Sequence, residues 1–410
     1  MHKVKIVNDP VYGFISIPYG LIFDLVEHPF FQRLRRIKQT SLSHYVYPGA
    51  LHTRFHHALG AYHLMSQALM SLEQKGVSIT DAEKEAACVA ILLHDIGHGP
   101  FSHTLEKNLI GVSHEVLSAL FMESLNKTFG GKLDLAISIF NGSYHKTFLH
   151  QLIGGQLDMD RMDYLNRDSY FTGVHEGVIG YDRIIKMLNV VDNQLVVEEK
   201  GIYSVEKFLI ARRLMYWQVY LHKTVVSAEK MLVLVLKRAR EIMNSEPDSI
   251  QASTHLLFFL QHSITAETIK NQEDLFLMKF AGLDDTDIVA ALKNWSEHPD
   301  FLLRFLSKSL LNRQLFKTEF QNEPISADRI AKVEDQLKKA LPAGSSVDPK
   351  FLMVAGSETN TAYWPNKEEI LILHKNGEIH PMSSAQDYIL SSRSFTKYYL
   401  CYPKFIPADA

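Results

Sequence analysis

The run Ala86-Ala87-Cys88-Val89-Ala90-Ile91-Leu92-Leu93, followed at once by His94-Asp95-Ile96-Gly97-His98-Gly99-Pro100, decides how this chain is read. It is opened by Thr80-Asp81-Ala82-Glu83, a cap residue with Glu three positions on. The pattern predicts a helix apolar on every side, hence central to a core, ending by Gly97. An imidazole and a carboxylate at the edge of such a core are costly unless each is paired or bound to a metal. Adjacent His94 and Asp95 can both reach one ion; a hydrogen-bonded pair closing the helix is the plainer alternative. Gly97 and Gly99-Pro100 break the chain and return His98 to the same edge, as a supporting or catalytic imidazole or as a histidine favoured by the helix dipole.

Two further segments join this one. Arg54 and His57 lie three apart and project from one helical face, a cationic fork beside a metal-ligand type or an arginine lying along an exposed helix. His52 and His56 read as packing or pocket residues. In Asp158-Met159-Asp160-Arg161-Met162-Asp163-Tyr164-Leu165-Asn166-Arg167-Asp168, residues Asp160, Tyr164 and Asp168 share a face, while Asp163 and Arg167 can pair on the next. Asp160 can supply a distant carboxylate, Arg161 can neutralise phosphate, and Tyr164 and Asp168 can hold a sugar. The alternative is a polar helix laced with salt bridges. Nitrogen and oxygen donors together suit Mn, Fe, Ni or Zn, and added water and phosphate oxygens suit Mg or Mn. The clustering is itself unusual: of 20 histidines, nine fall between His44 and His114.

The rest of the 410 residues bounds the setting. With 43 Lys plus Arg against 46 Asp plus Glu, net charge −3, there is no global basic excess, which argues against a dedicated nucleic-acid binder. Two cysteines cannot make a disulfide framework, and a reducing, cytoplasmic setting is expected. No signal-peptide pattern opens the chain and no apolar run is long enough to span a bilayer, so no membrane association is expected.

Residues 3–18 read as two short strands about Asn8-Asp9-Pro10, and Arg54 to Gln74 as a helix. Further helices are predicted near 114–128, 132–140, 159–170 and 181–188. A hairpin is expected from Gln194–Val197 to Ile202–Ser204, then one long helix or a kinked pair over Val205–Met243. The stretch 250–340 reads as helical. Pro342-Ala343-Gly344-Ser345-Ser346 reads as a linker, and beyond it come strands at Phe351–Val354, Glu369–His374 and Glu378–His380, the last two joined at Asn376-Gly377. The expected fold is mainly α, a helical bundle with small β-hairpins: a core over 1–240, a helical extension over 241–341 and a small α+β region over 342–410.

These segments resemble the HD-domain phosphohydrolases. Asn8-Asp9-Pro10, Phe31 to Gln39, Tyr47-Pro48-Gly49-Ala50, Arg54 to Gly60, His94 to His103 and Asp160 to Asp168 are similar, in order and type, to the deoxynucleotide triphosphohydrolase branch, which includes the SAM-and-HD-domain dNTPase and bacterial dGTPase-like proteins. The resemblance spans about residues 4–240. It implies an HD-domain bundle with one divalent metal ion held by His57, His94, Asp95 and Asp160. It further implies that His98 and His114 are catalytic near the α-phosphate, with Glu115 orienting one of them. Arg54 and Arg161 would contact phosphate, Tyr164 and Asp168 the deoxyribose, and Gln39 the sugar or base. The reaction implied is attack of water at the α-phosphorus of a deoxynucleoside triphosphate, with dGTP the first base to try, by a homo-oligomer. His56 stands where relatives often carry Glu, Thr40 where they can carry Leu, and Arg161 where they usually carry Lys. Arg33 and Arg35 lie where some relatives bind an activating nucleotide, or form a basic helix face. Two other readings stay open: hydrolysis of another phosphoester, such as a nucleoside monophosphate or cyclic dinucleotide, and a regulatory nucleotide- or nucleic-acid-binding protein.

Overall fold

A computed structural model describes residues 3–341, 347–360, 368–384 and 395–405. The expected linker at 342–346 lies outside them. The chain opens with an antiparallel hairpin, β1 (Val4–Asp9) and β2 (Gly13–Pro18). Ile15 and Ile17 point into the core while Val4, Ile6 and Phe14 face outward, the period-2 alternation of a sheet with one buried face.

Four helices carry the site. α1 (Arg54–Gln74) has the predicted bounds. Its opening explains His56: the Thr53 backbone N–H donates to His56 Nδ1 at 3.2 Å, so the imidazole fills the capping-box position usually taken by Glu or Gln. α2 (Asp81–Leu93) starts at the predicted capping box, with Thr80 N–H donating to Glu83 Oε2 at 2.7 Å and Glu83 N–H to Thr80 Oγ1 at 3.2 Å. Every residue from Ala86 to Leu93 is buried, which makes α2 the axis of the bundle. It stops at Leu93, earlier than the Gly97 boundary predicted, so His98 reaches the site from a turn. α3 (His114–Thr128) and α4 (Met159–Thr172) complete the set.

Gly97 sits where a Cβ would lie 2.3 Å from His114 O and Ser118 N, so only glycine lets this turn press against the start of α3. Ser118 closes the contact, accepting from Gly97 N–H at 3.0 Å and donating to His94 O at 2.6 Å. Arg33 braces the same turn from the other side. It is fully buried, donating to Ile96 O at 3.1 Å, to Leu283 O at 3.2 Å and to His98 O, which excludes an exposed basic face for it. Arg35 is exposed and lies over the Phe55 ring.

The predicted hairpin after residue 187 exists with a different partner. β3 (Leu188–Val191) pairs with β4 (Gln194–Glu198) across Asp192-Asn193, both with positive φ, the two-residue turn that matches strand twist. Ile202–Ser204, expected as the second strand, instead opens a helix, α5 (Ile202–Met215). A wider five-residue turn, Tyr216–Tyr220, separates it from α6 (Lys223–Ser245), the kinked pair expected.

The expected strand at Phe351–Val354 is displaced: Pro349–Phe351 is a short helical turn. Two strands lie where none is predicted, β5 (Lys317–Gln321), inside the stretch expected to be helical, and β9 (Phe395–Tyr402). Together with β6 (Val354–Asn360) they form one sheet in the order β5-β9-β6. β7 (Leu371–Leu373) and β8 (Ile379–Pro381) form the hairpin predicted at Asn376-Gly377, and β7 adds to β4 in parallel. No helix among the described residues is long and apolar enough to cross a membrane.

Candidate metal centre

α1, α2 and α4 bring four predicted residues to one point. His57 Nε2 lies 3.1 Å from Asp160 Oδ1, 3.4 Å from His94 Nε2 and 3.5 Å from Asp95 Oδ2. His94 Nε2 lies 3.4 Å from Asp95 Oδ1 and 3.5 Å from Asp160 Oδ1. Donors bound to one ion at about 2.0–2.2 Å stand roughly 3 to 3.5 Å apart. His57, His94 and Asp160 therefore already have the spacing of ligands around a single cation, with Asp95 beside them, Oδ2 toward His57 and Oδ1 toward His94.

Both imidazoles are held with Nε2 inward. His57 Nδ1 donates to Asp163 Oδ2 at 2.7 Å, and His94 Nδ1 to Ile91 O at 2.6 Å. Carboxylate and carbonyl partners of this kind orient metal-binding histidines. Asp163, read from sequence as only a partner of Arg167, thus has a second role. His57 is fully buried, and His94 and Asp95 nearly so.

The electrostatics repeat the geometry. Burial works to lower the His57 pKa, but hydrogen bonds with Asp160 and Asp163 and the nearby Asp95 raise it to about 10. His94 is also raised: burial opposes it, and Asp95 and Asp160 prevail. Against burial, His94, Arg54 and His98 hold Asp95 well below the usual carboxylate range, and His57 and His94 do the same for Asp160. Two carboxylates at one buried point call for two positive charges. Protons on the histidines supply them, and a divalent ion supplies them better while releasing those protons. The residues present fit such an ion.

Beside the quartet, His98 Nε2 lies 3.3 Å from Asp95 Oδ1. Its ring stacks on His114 with centroids 3.9 Å apart. Burial, then the Arg54 charge, hold His98 well below the ordinary histidine pKa, so it is neutral. His114 Nδ1 is 2.8 Å from Glu106 Oε2, a residue the sequence reading missed. Glu115, expected to orient a histidine, is mostly exposed and 3.7 Å from His114 Nε2. Glu106 holds that place because the chain turns through Phe101 and Ser102, with φ of 51° and 49°, and then through a wide turn at Glu106–Ile110.

Three of the expected phosphate and sugar contacts, Arg54, Arg161 and Asp168, are already engaged with protein partners. Arg54 donates to Asp95 Oδ2 and, at 2.7 and 2.9 Å, to Ser102 Oγ. Arg161 donates to Asp158 Oδ2 and to Gly155 O at 2.6 Å. Asp168 meets His52 Nε2 at 2.7 Å and accepts from Tyr220 O–H at 2.6 Å. His52, read as packing or pocket-lining, stacks on Phe171 and anchors Asp168. Tyr164 lies between His57 and Tyr220, with ring centroids 6.5 and 6.1 Å away. Gln39 N–H donates to His52 O at 3.0 Å, and its buried Oε1 has no hydrogen-bond partner among the described residues.

A helical core that closes two histidines and two carboxylates on one point, with a histidine pair alongside, defines a metal-dependent phosphohydrolase. Comparison with known proteins agrees. Residues 54–168 match the HD domain and residues 179–270 the HD associated region. A phosphohydrolase structure from Bacteroides thetaiotaomicron superposes with a TM-score of 0.93 at 52% identity, covering 98% of this chain and 100% of that one. YwfO of Bacillus subtilis is 32% identical over 100% of this chain and 94% of its own length. The deoxynucleoside triphosphate triphosphohydrolase SAMHD1 homolog of Dictyostelium discoideum is 27% identical over 88% of this chain and 68% of that protein. The chain belongs to the HD-domain family, in the branch that carries the HD-associated region and includes SAMHD1.

Proposed function

We propose that this protein hydrolyses deoxynucleoside triphosphates at the α-phosphorus, releasing deoxynucleoside and intact triphosphate. The observation that carries the reading is the stacked His98–His114 pair, joined to the quartet through Asp95. A proton donor thus stands one residue away from the point where an ion would hold phosphate and water.

In this reading His57, His94, Asp95 and Asp160 hold one divalent ion, which when bound lowers the pKa of a water ligand and polarises the phosphoryl oxygen. The chain's own groups do the rest. Arg54, already against Asp95, exchanges part of that contact for a phosphate oxygen and offsets its growing negative charge. Arg161, next to Asp160 in the chain, reaches the triphosphate. His114, with Nδ1 tied to Glu106, gives a proton to the leaving 5′-oxygen as the bond from phosphorus to that oxygen breaks. His98, neutral and buried, takes part in the same transfer. Tyr164 and Asp168 meet the deoxyribose, with Asp168 held by His52 and Tyr220, and the Gln39 amide faces the sugar or base.

The test is product identity. Metal-stripped protein is incubated with each dNTP and Mn, Mg, Fe, Co, Ni or Zn in turn, with and without a second nucleotide, and followed by ³¹P NMR beside Asp95→Ala. Inorganic triphosphate plus nucleoside, absent in the variant, is expected. Pyrophosphate plus monophosphate would overturn attack at the α-phosphorus with loss of the 5′-oxygen. No turnover of any dNTP would turn the search to other phosphoesters.

A further inference from the structure

The Asn8-Asp9-Pro10 motif stands at the tip of the N-terminal hairpin, and the chemistry above makes no use of it. Its aspartate nevertheless ends inside the metal centre's support. Asp9 Oδ1 accepts from Val11 N–H at 2.9 Å and Tyr12 N–H at 3.0 Å, which ties the carboxylate to the turn itself. Asp9 Oδ2 accepts from Arg167 Nη1 at 2.7 Å. The other edge of the same guanidinium donates to Asp163, from Nη2 to Oδ1 at 2.9 Å and from Nε to Oδ2 at 3.0 Å. Asp163 Oδ2 in turn accepts from His57 Nδ1–H at 2.7 Å. Four side chains therefore run without a gap from a surface hairpin to the back of a quartet imidazole.

Every link is buried. Arg167 and Asp163 have no exposed surface, and the guanidinium lies over the Tyr12 ring from the same hairpin tip, 5.4 Å from its centroid. The path exists because α1 carries glycine where it crosses α4: a Cβ on Gly60 would lie 2.0 Å from Asp163 Oδ1 and 2.2 Å from Arg167 Nη2. A buried ion network that only fastened the hairpin would need no contact with the quartet. This one ends on the nitrogen that sets the direction and donor strength of Nε2.

We infer that Asp9 and Arg167 are positioning residues for the metal centre, so that metal affinity depends on the seating of the N-terminal hairpin. The inference rests on the reading of His57 as a metal ligand. With Asp9 present, the guanidinium is shared between two carboxylates, and Asp163 keeps the negative charge that strengthens His57 as a donor. With Asp9 neutralised, Arg167 is held by Asp163 alone, drawing that carboxylate and its charge away from Nδ1.

The experiment is calorimetric titration of Mn²⁺ into the metal-stripped full chain, for the wild type, Asp9→Asn, Asp163→Asn and the double variant, with thermal unfolding of each metal-free form. The wild type is expected to bind one ion per chain, and Asp9→Asn to bind it about tenfold more weakly, at the lower end of what loss of a supporting partner costs. In the double variant, Asp9→Asn should add little to Asp163→Asn, because both act through one path. Arg167→Lys keeps a buried charge but cannot span both carboxylates. It should show the same weakening and serves if Asp9→Asn does not fold. Affinity within twofold of wild type beside a lowered Tm, or full additivity in the double variant, would overturn the inference and leave a purely structural clamp. A wild type that binds no ion would instead overturn the metal reading beneath it.

Discussion

The quartet and the groups proposed to face substrate are satisfied in opposite ways. His57, His94, Asp95 and Asp160 turn donor atoms toward one another at 3.1–3.5 Å, so a cation that enters meets carboxylates and imidazoles already facing it. Arg54, Arg161 and Asp168 are each latched to protein partners: Asp95 and Ser102, Asp158 and Gly155, His52 and Tyr220. The quartet is preorganised, because its donors stand on two helices and at the end of a third, and both imidazoles are held from behind. In the proposed function Arg54, Arg161 and Asp168 would exchange internal hydrogen bonds for ligand ones, so the net gain per contact is smaller. Losing a quartet residue should therefore abolish the centre, while losing a latch should retune it.

The sharpest way to break this contrast is Asp160→Ala. Removing one ligand forfeits several kcal/mol of transition-state stabilisation, which is about a thousandfold or more in kcat. Metal content should fall with it. Retention of both would move the centre elsewhere. Next comes Asp163→Asn, expected to weaken metal binding by about 10- to 100-fold through loss of the His57 partner, read by competition with a chelating dye.

The pH dependence follows from His57. Its pKa in the metal-free protein is raised to about 10, so it carries a proton at neutral pH that an ion must displace. Through this group metal affinity should rise with pH throughout the range below about 10. Titrations in buffers of different ionisation enthalpy should show proton release at pH 7. The same raised pKa stabilises the metal-free fold fully below the ordinary histidine value, and that contribution is lost as pH rises toward 10. No proton release would contradict the charge balance proposed for the quartet.

On the substrate side, Tyr220→Phe removes one latch from Asp168. One net hydrogen bond is worth about 0.5–1.5 kcal/mol, so KM should change by roughly two- to tenfold with metal affinity unchanged. Smallest for the chemistry is Glu83→Gln, which loosens the capping box of α2 and the buried contacts of Glu83 with Tyr144 and Lys146. It should cost about 1–2 kcal/mol of stability in thermal unfolding and leave turnover as it was.

How much of this was readable in the sequence divides along similar lines. The helices of the quartet were, because their signals are local: the capping box at Thr80, the apolar run to Leu93, and His57 spaced three from Arg54. Glu106 was not, since its contact with His114 depends on left-handed residues at Phe101 and Ser102, which no periodicity announces. Asp163 was read as half of an i, i+4 pair, and nothing local tells that its second oxygen edge meets His57. The pairing of β4 with β7, and of β5 with β9, joins segments more than 70 residues apart in sequence, beyond the reach of turn signals. Asp192-Asn193 is a local turn signal, whereas Lys200-Gly201, the turn expected, lies in the helical turn that leads into α5.

The central claim is that these four side chains close on one divalent ion. The most direct measurement is metal content by mass spectrometry, after reconstitution and desalting, of the wild type beside Asp95→Ala and Asp160→Ala. The account predicts one ion per chain in the wild type and a small fraction of that in either variant, with all three proteins folded. Equal content in all three, or none in the wild type after exposure to each of the metals named, would contradict it.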